Sequence, residues 1–141
     1  MAVRASSAVR KIISPVGIQG VEYEDGDESL PVAVRAARQA GAQFVIAVDV
    51  SPVSGTAPAD ASPSRLAREA KRRARIDPEL LSADFVIHPD LGFETWPTPA
   101  FFEYAYRTGE HAASRLLPNL RAAMAAAEVS PTRLIGVSIK N

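Results

Sequence analysis

The stretch Val21–Val50, VEYEDGDESLPVAVRAARQAGAQFVIAVDV, constrains the fold most. It reads as strand, sharp turn, helix and strand in immediate succession. Val21-Glu22-Tyr23 alternates in polarity and runs into Asp25-Gly26, a turn dipeptide in which Gly takes backbone geometry that other residues resist. Pro31 stands where a helix can begin, because its missing N–H is not needed in a first turn. Val32, Ala33, Val34, Ala36, Ala37 and Ala40 then give an apolar helix that leaves Arg35 and Arg38 to water. Gly41 is placed as the glycine that ends it. Phe44–Val48 is a continuous apolar run bounded by Gly41 and Ser51-Pro52, which suits a strand buried on both faces. A buried strand entered from a helix implies an α/β sheet. Asp25 lies on a tight turn at a strand end, where α/β folds keep their chemistry.

The surrounding chain bounds what this unit can do. A length of 141 residues allows one domain of ordinary size, and 47% hydrophobic with 23% charged residues is a normal globular composition. Sixteen acidic residues cancel sixteen basic ones, so no global field draws nucleic acid, and no nucleic-acid partner is expected. There are no cysteines, which excludes disulfides and thiolate metal sites. His88 and His111 are too few for a His-rich metal site, and no Gly-rich phosphate loop is present, so neither metal nor cofactor is expected. No apolar run approaches the roughly 20 residues of a membrane span. The N-terminal MAVRASSAVRKII has no apolar signal-peptide core, which makes the cytoplasm the expected location.

Ala2–Ile13 reads as a short helix or a loop lining a pocket, ended by Ser14-Pro15. Val16-Gly17-Ile18 and Val21-Glu22-Tyr23 flank Gln19-Gly20 as a small hairpin. Ser51–Pro63 is rich in Ser, Pro, Ala and Gly and reads as a surface loop, either a flap over a site or a tolerated insertion. Ser64–Arg75 is a basic helix capped by Ser62 or Ser64, with Arg65, Arg68, Arg72 and Arg75 on one face. That face either meets phosphates and lipid headgroups or is solvated and balanced by acids elsewhere.

Asp77-Pro78-Glu79 reads as the cap and first turn of a separate short helix. Ala83–His88 is another strand, and His88 at its end is either a base or a packing residue. Phe93–Pro99 is a loop carrying Trp96. Pro99–Leu117 is the longest helix, with Phe101, Phe102, Ala105, Tyr106, Gly109, Ala112, Ala113 and Leu116 as a stripe that faces either the core or lipid. Pro118 interrupts it, Asn119–Ala127 resumes it, and Thr132–Lys140 either adds an edge strand or lies loose.

Several of these strings, taken in order, resemble the C-terminal part of bacterial patatin-like phospholipases. They are Ala-Val-Arg-Ala-Ser-Ser-Ala-Val (2–9), Pro15-Val16, Tyr23-Glu24-Asp25-Gly26, Leu30-Pro31-Val32, Gly41-Ala42, Val45–Ser51 and Ala83–Gly92. The resemblance covers residues 2 to 120 and treats 121–141 as a helical or irregular tail. It implies a partial three-layer α/β sandwich with a mostly parallel sheet, and a Ser–Asp dyad that hydrolyses acyl esters of lipids. Asp25 matches the dyad aspartate and Gly26 its turn glycine. Asp27 stands where the family carries a second glycine, and the segment to Leu30-Pro31 is short. Ser6 and Ser7 fall beside the substrate wall by the same resemblance.

The nucleophile motif Gly-x-Ser-x-Gly is absent from this sequence. Gly136-Val137-Ser138-Ile139-Lys140 comes nearest, but Lys140 replaces the second glycine and no helix-length segment follows. A Gly-rich oxyanion loop is absent too. The resemblance therefore implies that the family's first half is missing, as in a truncated product or an internal start, and that the chain is inactive alone. Its partners would be a lipid or other acyl-ester substrate, once completed. Central strands are lost with that half, so the strand Phe44–Val50 is expected to have an unpaired edge through which the chain self-associates. The alternative is a non-catalytic interaction or regulatory module derived from the same fold.

Overall fold

The computed structural model describes residues 1–93 and 98–127. It is a mixed α/β structure with two small sheets, one antiparallel and one parallel. In chain order the elements are α1 (Ala2–Ser6), β1 (Val16–Ile18), β2 (Val21–Tyr23), a 3-10 turn (Gly26–Glu28), α2 (Val34–Gln39), β3 (Ile46–Val48), α3 (Pro63–Leu80), β4 (Phe85–Ile87) and α4 (Pro99–Ala126).

β1 and β2 pair antiparallel, with Val16 opposite Tyr23 and Ile18 opposite Val21. Gln19 and Gly20 both take positive φ, 51° and 80°, as the favoured two-residue hairpin turn requires. Ala5 and Ala8 pack against Val16 and Ile18, so the N-terminal segment forms a small core with the hairpin. The backbone N–H of Asp25 donates to the Ala8 carbonyl at 2.9 Å and ties the end of β2 to that segment.

β3 and β4 pair parallel, with Ile46 opposite Phe85 and Val48 opposite Ile87. One face of this pair is covered. Val34 and Ala37 of α2 pack with Val45, Ala47 and Val86, joined by Leu80 from the end of α3. Helix α2 closes as the glycine predicts: Gly41 takes φ 95°, its N–H donates to the Arg38 carbonyl, and the Ala42 N–H reaches the Ala37 carbonyl.

Several expectations from the sequence need correction. Helix α2 starts at Val34 rather than Pro31, because its first amides are held by the carboxylate of Glu79, a side chain supplied by α3. Arg35 faces water as expected, although its Nε also donates to Glu79, whereas Arg38 is half-buried, pairs with Asp84 and donates to the Ala42 and Gln43 carbonyls.

Strand β3 is buried on one face only, since Ile46, Val48 and Val50 are exposed while Val45, Ala47 and Asp49 are buried. Asp77-Pro78 does not start a new helix. Helix α3 runs through Pro78 to Leu80, and the burial of Ile76 and Glu79 holds that last turn in place. Pro118 likewise does not break α4, which continues to Ala126. Helix α4 packs along β4, yet none of its described residues is fully buried: Phe101, Ala105, Gly109, Ala112 and Leu116 of the stripe are half-buried, while Phe102, Tyr106 and Ala113 are exposed, so the stripe is only partly covered. The expectations for Trp96, Thr132–Lys140 and the Gly136–Lys140 string lie outside the described residues.

Candidate functional site

Asp25 is the N-cap of the 3-10 turn. Its backbone leaves β2 in an extended conformation (φ −57°, ψ 131°), and Oδ1 accepts the Asp27 N–H at 2.9 Å. A short carboxylate preceding a tight turn does this readily, because it satisfies an amide that the turn leaves open. Oδ2 has no hydrogen-bond partner among the described residues. The carboxylate is therefore fixed in direction by one oxygen and available at the other.

The half-buried Asp25 lies in an open cleft of about 640 Å³ bounded by Val9 and Arg10 on one side and by Ser29 and Arg75 on the other. Arg10 pairs with Glu24 at 3.2 Å and lies 4.0 Å from Glu28. Two arginines of α3 hold the turn from outside: Arg72 bonds the Asp27 carboxylate and Arg75 bonds the Glu28 carbonyl. The basic face of α3 is thus partly spent on this turn, and the acids that balance it include one next to the candidate base. Gly26 lines the cleft and also an adjoining recess with Ala2, Ala5 and Ser6. Ser6 is therefore brought near the turn, whereas the Ser7 hydroxyl donates to the Val3 carbonyl at 3.1 Å.

A second polar group, which sequence reasoning did not find, lies at the C-terminal end of β3. Asp49 is buried. Its Oδ1 accepts both the N–H and the hydroxyl of Ser51, and its Oδ2 accepts Arg73 Nη1 at 2.6 Å. Arg73 Nη1 also reaches Ser51 Oγ at 3.0 Å, and Arg73 Nε donates to Asp77 at 2.5 Å. His88, at the end of β4, donates from Nε2 to the Ser51 carbonyl at 2.9 Å, and its Nδ1 stands 3.8 Å from Asp49. The spacing Asp49-x-Ser51 after an apolar strand was the available signal, since Asp side chains habitually bond the amide two residues on.

This group contains a serine in contact with an aspartate, yet its chemistry is that of a structural lock. Burial pushes the Asp49 carboxyl up, but the bonds from Ser51 and Arg73 outweigh it and hold it below the ordinary carboxylate value. A carboxylate held this low is a poor base for a hydroxyl. Burial alone would lower the Arg73 guanidinium, but Asp49 and Asp77 raise it. The Ser51 hydroxyl is occupied by both partners. His88 meets the Ser51 carbonyl rather than its hydroxyl, so it is not placed as a base for that oxygen.

No group of three or more His, Asp or Glu side chains among the described residues is arranged to hold a metal ion. No helix among them is long and apolar enough to cross a membrane. The chain matches no protein-family model, and no curated protein matches it either.

Proposed function

We propose that this chain is the base-bearing portion of a patatin-like acyl-lipid hydrolase, with Asp25 as the carboxylate of a Ser–Asp dyad and Gly26 as its turn glycine. A serine hydroxyl is a weak nucleophile until a base within hydrogen-bond reach accepts its proton. The observation that carries the reading is the state of the Asp25 carboxylate. One oxygen is locked by the Asp27 amide, and the other is unengaged in an open cleft. A general base needs both a fixed direction and a free lone pair. The Asp27 that departs from the family pattern contributes its backbone N–H to that lock and its carboxylate to Arg72.

In this reading the serine, the oxyanion donors and the remaining sheet strands come from a complementing polypeptide segment. The finished fold is the three-layer sandwich with a mostly parallel sheet, the substrate is a lipid or other acyl ester, and the setting is cytoplasmic. The test is reconstitution. The chain alone is expected to show no turnover of a short-chain chromogenic ester and no labelling by a fluorophosphonate. A segment carrying a Gly-x-Ser-x-Gly elbow from a patatin-like hydrolase is expected to restore both, with the label on the elbow serine and activity lost in Asp25→Asn. Labelling of a serine of this chain, or restored activity indifferent to Asp25→Asn, would overturn the reading.

A second reading is favoured by the bare face of β3. Ile46, Val48 and Val50 point out of a parallel pair, although parallel strands are ordinarily covered on both faces. A non-catalytic interaction module would use the same face for a protein partner. It predicts a defined complex in which Asp25→Asn has no effect.

A further inference from the structure

Beyond β3 the chain turns back over α3 and forms one wall of an open cavity of about 190 Å³ that shares no residue with the Asp25 cleft. Pro52, Val53 and Ala57 line it from the loop, Leu66 and Ala70 from α3, and Phe93 from the segment after β4. The Ser/Pro-rich loop is therefore not only a connection, because its first half forms one wall. The position is the one where open α/β sheets take ligands, outside the carboxyl ends of the strands.

The size and lining set the ligand's body. An apolar cavity of ~150 Å³ accepts a benzene ring. This cavity takes one ring or a short alkyl chain together with a compact polar head. The charges set the head. Two side chains that line it are ionised, Arg73 and Glu69. Arg73 is already matched by Asp49 and Asp77. Glu69 is half-buried and has no counter-ion or hydrogen bond among the described residues. The neighbouring Arg65 is held at Phe93, its guanidinium 4.7 Å from the ring centroid and its Nη2 on the Phe93 carbonyl. The unmatched charge on the cavity's own lining is thus negative, with Arg68 and Lys71 grouped with Glu69 in the neighbouring recess and not on the cavity wall.

We propose that the cavity binds a small primary amine with an aryl or short alkyl body, the ammonium meeting Glu69 and the body lying among Val53, Ala57, Leu66 and Ala70. An anionic head of the same shape meets the Glu69 carboxylate and is disfavoured. A neutral one gains only the burial of its body. The inference uses none of the groups around Asp25 and stands apart from the acyl-hydrolase reading.

Benzylamine, benzyl alcohol and benzoate, titrated into the full chain, separate these terms, with affinity read by calorimetry and location by amide chemical shifts. Benzylamine is expected to bind about fivefold tighter than benzyl alcohol, the size of one partly exposed ion pair, with benzoate weakest. The shifts are expected at Val53, Ala57 and Ala70. Glu69→Gln should bring amine and alcohol level without loss of fold. Ala70→Leu, which fills the cavity, should abolish all three while the circular dichroism stays unchanged. Equal binding of amine and alcohol to the unaltered chain, shifts elsewhere, or no binding of any of the three would overturn the proposal.

Discussion

The Glu79 carboxylate accepts the backbone N–H of Arg35 at 2.8 Å and its guanidinium Nε at 2.5 Å, so a buried acid near the end of α3 caps the start of α2. The contact does what a local Ser or Asp cap ordinarily does. Ala33, the residue at the cap position, has no side-chain oxygen to offer. Glu79→Ala is expected to leave the first amides of α2 without partners beneath Leu80 and Val34. The thermal midpoint should fall well below that of the exposed control Glu103→Ala. Equal midpoints in the two variants would show that the cap contributes nothing.

The same acid, together with Asp49, makes stability depend on pH in a fixed direction. The Arg35 amide and guanidinium hold Glu79 below its ordinary value of 4.5 against the opposing effect of burial. Burial raises Asp49, but Ser51 and Arg73 hold it below 3.8. Both groups bind protons more weakly folded than unfolded, so their contribution is complete above about pH 4.5 and disappears as pH falls through the lowered folded values. Urea midpoints are expected to be flat from pH 7 to 5 and to drop below pH 4.5. Asp49→Asn should shrink the drop, and an unchanged acid limb in that variant would remove Asp49 from the account.

Asp25 separates stability from the proposed chemistry. Asp25→Asn keeps an oxygen for the Asp27 amide and should change stability by less than about 0.5 kcal/mol. Asp25→Ala removes the cap and should cost about 1 kcal/mol. Both should abolish reconstituted ester hydrolysis. Asn retaining activity while Ala loses it would mean that the side chain caps the turn and does no proton transfer.

The bare face of β3 should associate. The isolated chain is expected to run as a dimer or larger species, and Val48→Lys, which places a charge in the middle of the exposed row, should shift it toward monomer by light scattering. A monomer at all concentrations in the unaltered chain would sink this expectation.

Most local elements were legible in the sequence because their signals are short-range. Gln19-Gly20 marked the hairpin, Gly41 the end of α2, Ser62 the start of α3, and the apolar runs marked both strands of the parallel pair. Asp25 was legible as a turn carboxylate for the same reason. The misreadings share a different cause. Pro78 and Pro118 signal breaks by propensity alone, a weak prior that a longer helix overrides. The caps and locks that join elements, Glu79 to Arg35 and Asp49 to Arg73, span 44 and 24 residues, and no local pattern encodes such pairings. The apolar run of β3 suggested burial on both faces, but a run records only that a face is apolar, and what covers it is decided elsewhere in the fold.

The two sheets have separate cores, and the N-terminal unit is held to the rest through Arg72 on Asp27 and Arg75 on the Glu28 carbonyl. Coulombic ties between partly exposed groups weaken as salt is added, whereas apolar packing does not. Asp25 therefore rides on a latch closed by charge. At high ionic strength the hairpin should swing loose and exchange its amides while β3 and β4 remain protected. The candidate base would then lose its alignment before the rest of the molecule loses its fold.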